Sequence, residues 1–327
     1  MQLSVIIVNF NTYELTVDCI NSIHANTRNV NYEIIVVDNA PKTDYKTGLL
    51  QHFPDIKYIL SPENVGFGRA NNLGMEIAEG EYFLLLNSDT IVKDGCFEKC
   101  IAFMETHKDA GLMGCRLLNE DGSFQHSFYP YINNSVWNYF ISNNPILYKV
   151  FGVAKKFREP KETQRVGDVS GAFMFMKREV VEKVKGFDPD FFLYCEETEW
   201  CRERIAKHFN IYFYPGAETM HLCGKSAPRE PMFIQSKLSL SLLWYKRGIG
   251  SYLLYILVTY LNVLYFLLTY PFAGAENKQF VKRYAGCYWK IFPYLIFDVP
   301  KYGRGYGVRK EPLIYDEARP IFFPNQR

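Results

Sequence analysis

Four apolar runs set the limits on what this chain can fold into. LSVIIVNF (Leu3 to Phe10), EIIVVD (Glu33 to Asp38), IKYILS (Ile56 to Ser61) and YFLLLN (Tyr82 to Asn87) are β-rich and nearly continuous in their apolar character. Strands apolar on both faces suit a parallel sheet covered on both sides. Between them lie segments with helical patterning, about Thr12 to Thr27, Asp44 to His52 and Gly68 to Glu79. Strand alternating with helix predicts βαβ units, an α/β fold on a doubly wound, mostly parallel sheet. Ligands of such sheets sit outside the carboxyl ends of the strands. Polar residues stand at those ends: Asn9 and Asn11, Asp38 and Asn39, and Asn87, Ser88 and Asp89. All three groups are expected to line one crevice. LLLNSDT (Leu84 to Thr90) alone is equally what a strand stopping at an Asx turn produces. Its company with the other strand tips favours a binding role.

Further along, the pattern predicts a helix over about Asp94 to His107 and a strand near Leu112 to Leu118. Residues 119–167 are polar, aromatic and weakly periodic, like an insertion or lid. AFMFMK (Ala172 to Lys177) reads as a strand, with a helix from Arg178. After GFDPDFFLYCEETEW a helix is expected over about Glu197 to Lys207, then short strands near Ile211 and Thr219.

The last third changes character. Gly248 to Ala275 is a run of 28 residues without a charged side chain, bounded by Arg247 and Glu276. A spanning helix needs roughly 20 apolar residues, and the tyrosines spread through this run suit a bilayer interface. Residues 276–327 hold 10 Lys/Arg against 5 Asp/Glu. A basic, aromatic tail beside an apolar helix favours an anionic membrane surface, which the helix either spans or lies in. The alternative is a buried helix packed on the preceding domain or on a second subunit of a homo-oligomer.

The net charge of +2 gives no global basic footprint, so nucleic acid is not an expected partner. The eight cysteines are irregularly spaced in a chain of 327 residues, unlike a small secreted disulfide scaffold. Cys96 and Cys100 lack a second pair to complete a zinc site. Free thiols in a reducing compartment are expected. Met1-Gln2-Leu3 enters the first strand directly, with no signal peptide before it.

Four stretches carry candidate chemistry. Asp89, at the mouth of the crevice, is placed to hold a divalent cation whose coordination substrate phosphates complete. Asp38 is either a turn residue or a hydrogen-bonding partner for a base or ribose. In SPENVGFGRANNLG (Ser61 to Gly74) the glycines allow close backbone approach, Arg69 could reach a phosphate, and Asn71 and Asn72 are donors at a helix start. This loop matches neither the dinucleotide nor the Walker pattern. YCEETEW (Tyr194 to Trp200) puts Glu196 and Glu197 at a helix start, where the dipole alone would favour them. Adjacent helical residues diverge by about 100°, so one faces the crevice and the other supports it. Glu199 and Arg202 have the spacing of an i,i+3 pair. A base for a sugar hydroxyl must be ionised and within reach, which a glutamate satisfies. MHLCGKS (Met220 to Ser226) supplies His221, whose neutral imidazole would complete a metal shell. A lone histidine is more often structural.

Together VIIVNFNT, VVDNA, NVGFGRANNLG, LLLNSDT, VSGAFMFMKREV, GFDPDFFLYCEETEWCRER and MHLCGKS resemble the inverting glycosyltransferases of family 2, with the GT-A fold. The resemblance runs from about Leu3 to Ser226 and is carried by the order and spacing of the segments. The subgroup most similar in look is the rhamnosyltransferase-like set of bacterial surface polysaccharide and cell-wall synthesis. It implies a catalytic domain over 1–240, with a nucleotide-sugar half over 1–118 and an acceptor half over 168–240, and a helical, membrane-associated region over 241–327. It implies that Asn9 and Asp38, with Asn11 beside them, contact the nucleotide. Arg69, Asn72, Asn87 and Ser88 would line the donor pocket. Asp89 and His221 would hold Mn2+ or Mg2+, and Glu197 would be the base beside Glu196. Two departures stand out. Asn87 replaces the first acid of the metal motif, and Glu196-Glu197 replaces the usual Glu-Asp.

The implied chemistry is a single displacement with inversion. Glu197 takes the acceptor proton, the acceptor oxygen attacks the anomeric carbon, and a nucleoside diphosphate leaves. The subgroup points to dTDP-rhamnose as donor, with UDP-linked hexose, galactofuranose or N-acetylhexosamine as alternatives. The acceptor would be a saccharide or polyprenyl-linked saccharide at the cytoplasmic face of the cell membrane. A nucleotidyltransferase would open with a GxGxR-like loop, where this chain opens with VNFNT; a processive synthase would carry QxxRW and several spanning helices, neither of which is expected here. A non-catalytic scaffold that retains the fold would bind nucleotide sugar without turnover.

Overall fold

The computed structural model describes residues 1–129, 159–222, 229–272, 274–297 and 299. Residues 1–129, 159–192 and 196–222 form one compact unit. Residues 193–195 and those from Arg229 onward belong to a second.

In the first unit β1 (Leu3–Asn9) lies between β2 (Tyr32–Asn39) and β4 (Tyr82–Asn87), both parallel to it. β3 (Lys57–Ser61) extends the sheet beyond β2, again in parallel. The helices between them are α1 (Tyr13–Asn26), α2 (Tyr45–His52) and α3 (Phe67–Glu76). Alternation within each strand feeds two cores. Leu3, Val5, Ile7, Val36 and Leu84 pack with Cys19 and Ile20 of α1. Ile6, Ile35, Val37 and Leu85 pack with Ala70 and Met75 of α3. Both faces are covered, which is why the strands read as unbroken apolar runs.

Past β4 the sheet becomes mixed. β11 (Phe173–Lys177) is antiparallel to both β4 and β6 (Ala110–Leu118). β12 (Asn210–His221) runs parallel to β6. It is one strand where two were expected; its register breaks between Tyr214 and Glu218, around Pro215 and Gly216. Proline has no N–H to offer the ladder, so the sequence reads as an interruption although the strand continues. Three residues past Asn87, β5 (Thr90–Val92) turns back to pair antiparallel with the end of β12. α4 (Cys96–Thr106) and α5 (Arg178–Val184) complete the layers.

Within the stretch expected to be an insertion, β7 (Phe124–Gln125) and β9 (Gln164–Arg165) join the main sheet at its margin, pairing with β6 and β12. β8 (Phe128–Tyr129) belongs to a separate two-stranded ladder with β10 (Asp168–Val169). Residues 130–158 of that stretch lie outside the described residues. Cys19, Cys96, Cys100, Cys115 and Cys201 are free thiols.

The second unit packs three helices, α7 (Arg229–Lys246), α8 (Ile249–Thr269) and α9 (Ala275–Phe297), around Trp244, Tyr252, Tyr255, Tyr288 and Leu295. Among the described residues, Ile249–Phe272 is the one helical segment long and apolar enough to cross a membrane by length and composition. The basic tail beyond Val299 lies outside them.

Candidate active site at the carboxyl end of the sheet

The parallel register brings the strand tips together. Asn9 is level with Asp38, and Val8 is level with Asn87. Asn9 and Asp38 are fully buried, and Asn9 Nδ2 donates to Asp38 Oδ1 at 2.7 Å. The other Asp38 oxygen accepts from the Tyr58 hydroxyl. Burial pushes the Asp38 carboxyl above its ordinary value despite these bonds. Asn9 Oδ1 accepts from the Thr12 backbone N–H at 3.0 Å and from the Thr12 hydroxyl at 2.9 Å. Asn11, at φ +56°, accepts the Lys42 backbone N–H at 2.8 Å and so braces the loop after β2. Ser88 Oγ lies 2.9 Å from Thr12 Oγ1, tying the β4 tip to the start of α1.

Asp89 sits in the tight turn between β4 and β5. Its carbonyl accepts the Leu222 N–H at 2.9 Å, and its Oδ1 lies 3.2 Å from His221 Nε2. Both side chains are nearly buried. Gln125 sets the imidazole. Its amide donates to Asn119 Oδ1 and to the His221 carbonyl, so its Oε1 is left to accept from His221 Nδ1 at 2.7 Å. With the proton on Nδ1, the neutral ring presents a bare Nε2. Asn87 Nδ2 donates to that Nε2 at 3.3 Å. In that tautomer Nε2 and the Asp89 Oδ1, 3.2 Å apart, both offer lone pairs to one point. A divalent cation satisfies both, so this donor set fits one. No cluster of three or more His, Cys, Asp or Glu side chains suited to a metal occurs among the described residues. The remaining ligands would be phosphate oxygens and water.

The two glutamates diverge as expected. Helix α6 (Glu196–Glu199) is entered through Tyr194 and Cys195, both at positive φ, a costly conformation for such residues. Glu196 is buried and packs beside Gly68 at the start of α3. Glu197 faces the β10 side, where Asp168 lies. Its Oε2 is enclosed and accepts no hydrogen bond among the described residues. Burial, and then the Asp168 charge, raise its carboxyl to about 7.

β10 bridges toward the Asp89–His221 pair. Val169 pairs with Phe128, Ser170 N–H bonds the Ser127 carbonyl, and Asn87 N–H bonds the Ala172 carbonyl. Glu197 and the Asp89–His221 pair therefore flank one short stretch of chain, Asp168 to Ala172.

The expected regular helix over Glu197 to Lys207 gives way after Glu199 to a π-helical turn, Trp200–Arg204, then to a 3₁₀ turn. Glu199 and Arg202 were expected to pair with each other, and the described ion pairs of both run elsewhere. Glu199 pairs instead with Arg204 at 2.8 Å, five residues on, the π-helical spacing. Arg202 is thereby turned onto Asp168 through Nε at 2.9 Å and Nη2 at 3.0 Å.

The glycine-rich loop packs against protein. Phe67 N–H bonds the Phe192 carbonyl at 2.8 Å, Arg69 Nε bonds the Pro189 carbonyl at 2.7 Å, and Asn72 bonds both the N–H and the carbonyl of Phe187. Arg69 also feels the charges of Asp190 and Asp188. These bonds clamp α3 to residues 187–192. Thr12, Tyr58, Gln125 and Asp168 did not emerge from the sequence. NFNT carries a trace of the first, since an Asn three residues before a Thr has capping spacing.

A family model described as Glycosyl transferase family 2 matches residues 4–185. The chain is 27% identical over 207 residues to the rhamnosyltransferase WbbL of Escherichia coli (strain K12), covering 60% of this chain and 75% of that one. It is 23% identical over 216 residues to the N-acetylglucosaminyl-diphospho-decaprenol L-rhamnosyltransferase of Mycobacterium tuberculosis (strain ATCC 25618 / H37Rv), covering 61% and 69%. Among solved structures it is similar to GalNAc-T7 with UDP, GalNAc and Mn2+, at TM-score 0.53 and 15% identity over 76% of this chain and 50% of that one. It is similar also to S. aureus TarS 1–349 in complex with UDP, at TM-score 0.50 and 14% identity over 74% and 65%. At such identities the two structures speak for the fold, which is the one the resemblance implied.

Proposed function

Because the chain belongs to glycosyl transferase family 2 and is a glycosyltransferase, we propose that it is an inverting, divalent-metal-dependent transferase acting on a nucleoside-diphosphate sugar. The donor we propose is dTDP-rhamnose, in keeping with two relatives named as rhamnosyltransferases. The acceptor we propose is a saccharide carried on a polyprenyl diphosphate at the cytoplasmic face of a membrane. One relative's name specifies such a lipid-linked saccharide, and α8 has the length and composition to meet a bilayer.

The observation that carries this reading is the pair formed by Asp89 Oδ1 and His221 Nε2, 3.2 Å apart at the carboxyl end of the sheet. Asp89 and His221 would hold the cation, which when bound neutralises charge on a departing diphosphate. Glu197 would take the proton of the acceptor hydroxyl on its unpartnered Oε2. A carboxyl raised to about 7 is poised for that transfer near neutral pH. Asp38 would position the nucleotide through Asn9 and Tyr58, and Glu196 would support Glu197 from the α3 side.

The test is a panel of dTDP-rhamnose, UDP-hexose, UDP-galactofuranose and UDP-N-acetylhexosamine. Metal-dependent hydrolysis and thermal stabilisation are read for each. The reading expects dTDP-rhamnose to lead in both. A UDP sugar in first place would move the donor assignment within the same fold. Stabilisation without turnover by any donor, with or without acceptor, would leave a binding scaffold.

A further inference from the structure

α8 is built inside out for water. It buries Tyr252, Tyr255, Thr259 and Asn262 against its neighbours and turns Leu253, Leu257, Leu261, Leu264 and Leu268 outward, each about half exposed or more. Only 33% of its most apolar window is covered by the rest of the chain. An exposed apolar stripe of this length marks an interaction surface. The flanks say what covers it. Lys246 and Arg247 precede the uncharged run, and past Glu276 come Lys278, Lys282 and Arg283, an excess of cations that suits anionic headgroups.

The packing of α9 decides how a bilayer is met. Tyr252 OH donates to the Leu295 carbonyl, and Tyr260 OH donates to the Tyr288 carbonyl at 3.1 Å. The two helices are therefore antiparallel, and Lys290 falls between these bonds, level with the middle of α8. At 1.5 Å per residue α8 is about 31 Å long, the thickness of a hydrocarbon core. If α8 crossed the bilayer, α9 would cross beside it and the exposed Lys290 would sit at the midplane, where a cation is costly. Laid flat, the pair avoids this. The leucine stripe enters the acyl region, while Lys290 rests among headgroups beside the exposed Trp289, a residue type favoured there.

We infer that α8 and α9 form an in-plane anchor that lies in one leaflet of an anionic bilayer without crossing it. This rests on the membrane-surface reading above and fixes its geometry. Such an anchor keeps the whole chain on the side of the membrane that holds the nucleotide sugar.

The test has two arms on the full chain. Gly250→Cys and Gly274→Cys place thiols at the two ends of α8, where an added Cβ meets nothing within 4 Å. In everted membrane vesicles from an expressing bacterium, a membrane-impermeant maleimide is expected to label both to the same extent. Labelling is read above that of the unsubstituted chain. Protection of Gly274→Cys until detergent is added would overturn the inference in favour of a crossing helix. In the second arm, purified Leu257→Glu and Leu264→Glu variants float with vesicles of phosphatidylglycerol and phosphatidylcholine. The bound-to-free ratio is expected to fall at least about tenfold for each, with melting temperature unchanged. Absence of vesicle binding by the parent chain, with a dimer that these variants dissociate, would assign the stripe to a second copy and overturn the proposal. Donor hydrolysis is measured without vesicles, so failure of the transferase reading is seen separately.

Discussion

Nε2 of His221 faces Oδ1 of Asp89 at 3.2 Å, while Gln125 holds the opposite ring nitrogen at 2.7 Å. The ring is thus aimed by Gln125, which is itself held by Asn119 and the His221 carbonyl. Gln125→Leu should keep both candidate ligands and lose their orientation, lowering apparent Mn2+ affinity about 10- to 100-fold. His221→Ala should lower it at least as far. Mn2+ titrations of donor hydrolysis, and of melting temperature with donor present, measure both. Affinity unchanged in His221→Ala would remove the ring from the site.

Glu197 gives a second prediction. The proposed base works only when ionised, so kcat/KM should rise with pH and level off above about 7. Glu197→Gln should lower kcat about a hundred- to ten-thousand-fold and leave donor-induced thermal stabilisation in place. Stability moves the opposite way with pH. The folded carboxyl titrates near 7 against an ordinary 4.5. The folded state therefore holds the proton in that window, and the associated stability is complete below about 4.5 and lost as pH rises through 7. Glu197→Gln, permanently neutral, should melt above the parent chain at pH 8, and the gap should close toward pH 5.

How far the sequence could be read depended on which forces wrote it. The left half of the sheet was legible because Leu3 to Asn9 and its parallel partners are buried on both faces, and burial writes itself as apolar residues. The row of polar strand tips was legible because parallel register sets strand ends level, Asn9 with Asp38 and Val8 with Asn87. The right half was less so. β5 has three residues, and β7 to β10 have two each, too short for any period to register. Gln125 lies in that stretch and acts through one hydrogen bond, for which no spacing rule exists. Arg202 was assigned to Glu199 because regular helical spacing was assumed. The π-turn, a single-residue change in hydrogen bonding, sent it to Asp168. The clamp that Arg69 and Asn72 make on residues 187–192 joins positions more than a hundred residues apart, for which no spacing rule exists.

The Arg202–Asp168 pair is itself testable. Both side chains are nearly buried, at 10% and 2% exposure, so removing the cation strands a carboxylate. Arg202→Ala should cost about 3–5 kcal/mol in urea denaturation. Asp168→Asn isolates the electrostatic effect on the base. Asp168 is the charge that raises Glu197, so its loss should move the rising limb of the pH–kcat/KM profile to lower pH. A limb that stays in place would show that Asp168 does not set the base.

Gly66 supplies a test of the clamp between α3 and residues 187–192. It has φ +85°, and a Cβ added there would fall 2.2 Å from the Phe192 carbonyl oxygen. Two penalties combine, the left-handed backbone and a clash with main chain that cannot rotate away. Gly122 separates them, since its φ is +80° and a Cβ there meets nothing within 4 Å. Gly122→Ala should therefore cost about 1 kcal/mol, the conformational penalty alone. Gly66→Ala should cost more, about 2–4 kcal/mol, because the chain must also move off Phe192. That movement would displace the segment leading to Glu196 and Glu197, so transfer should fall even at temperatures where Gly66→Ala remains folded. Urea denaturation of both variants, with activity measured well below the melting temperature, reads the two effects apart. Equal stability losses at the two positions would mean that α3 does not depend on its contact with Phe192.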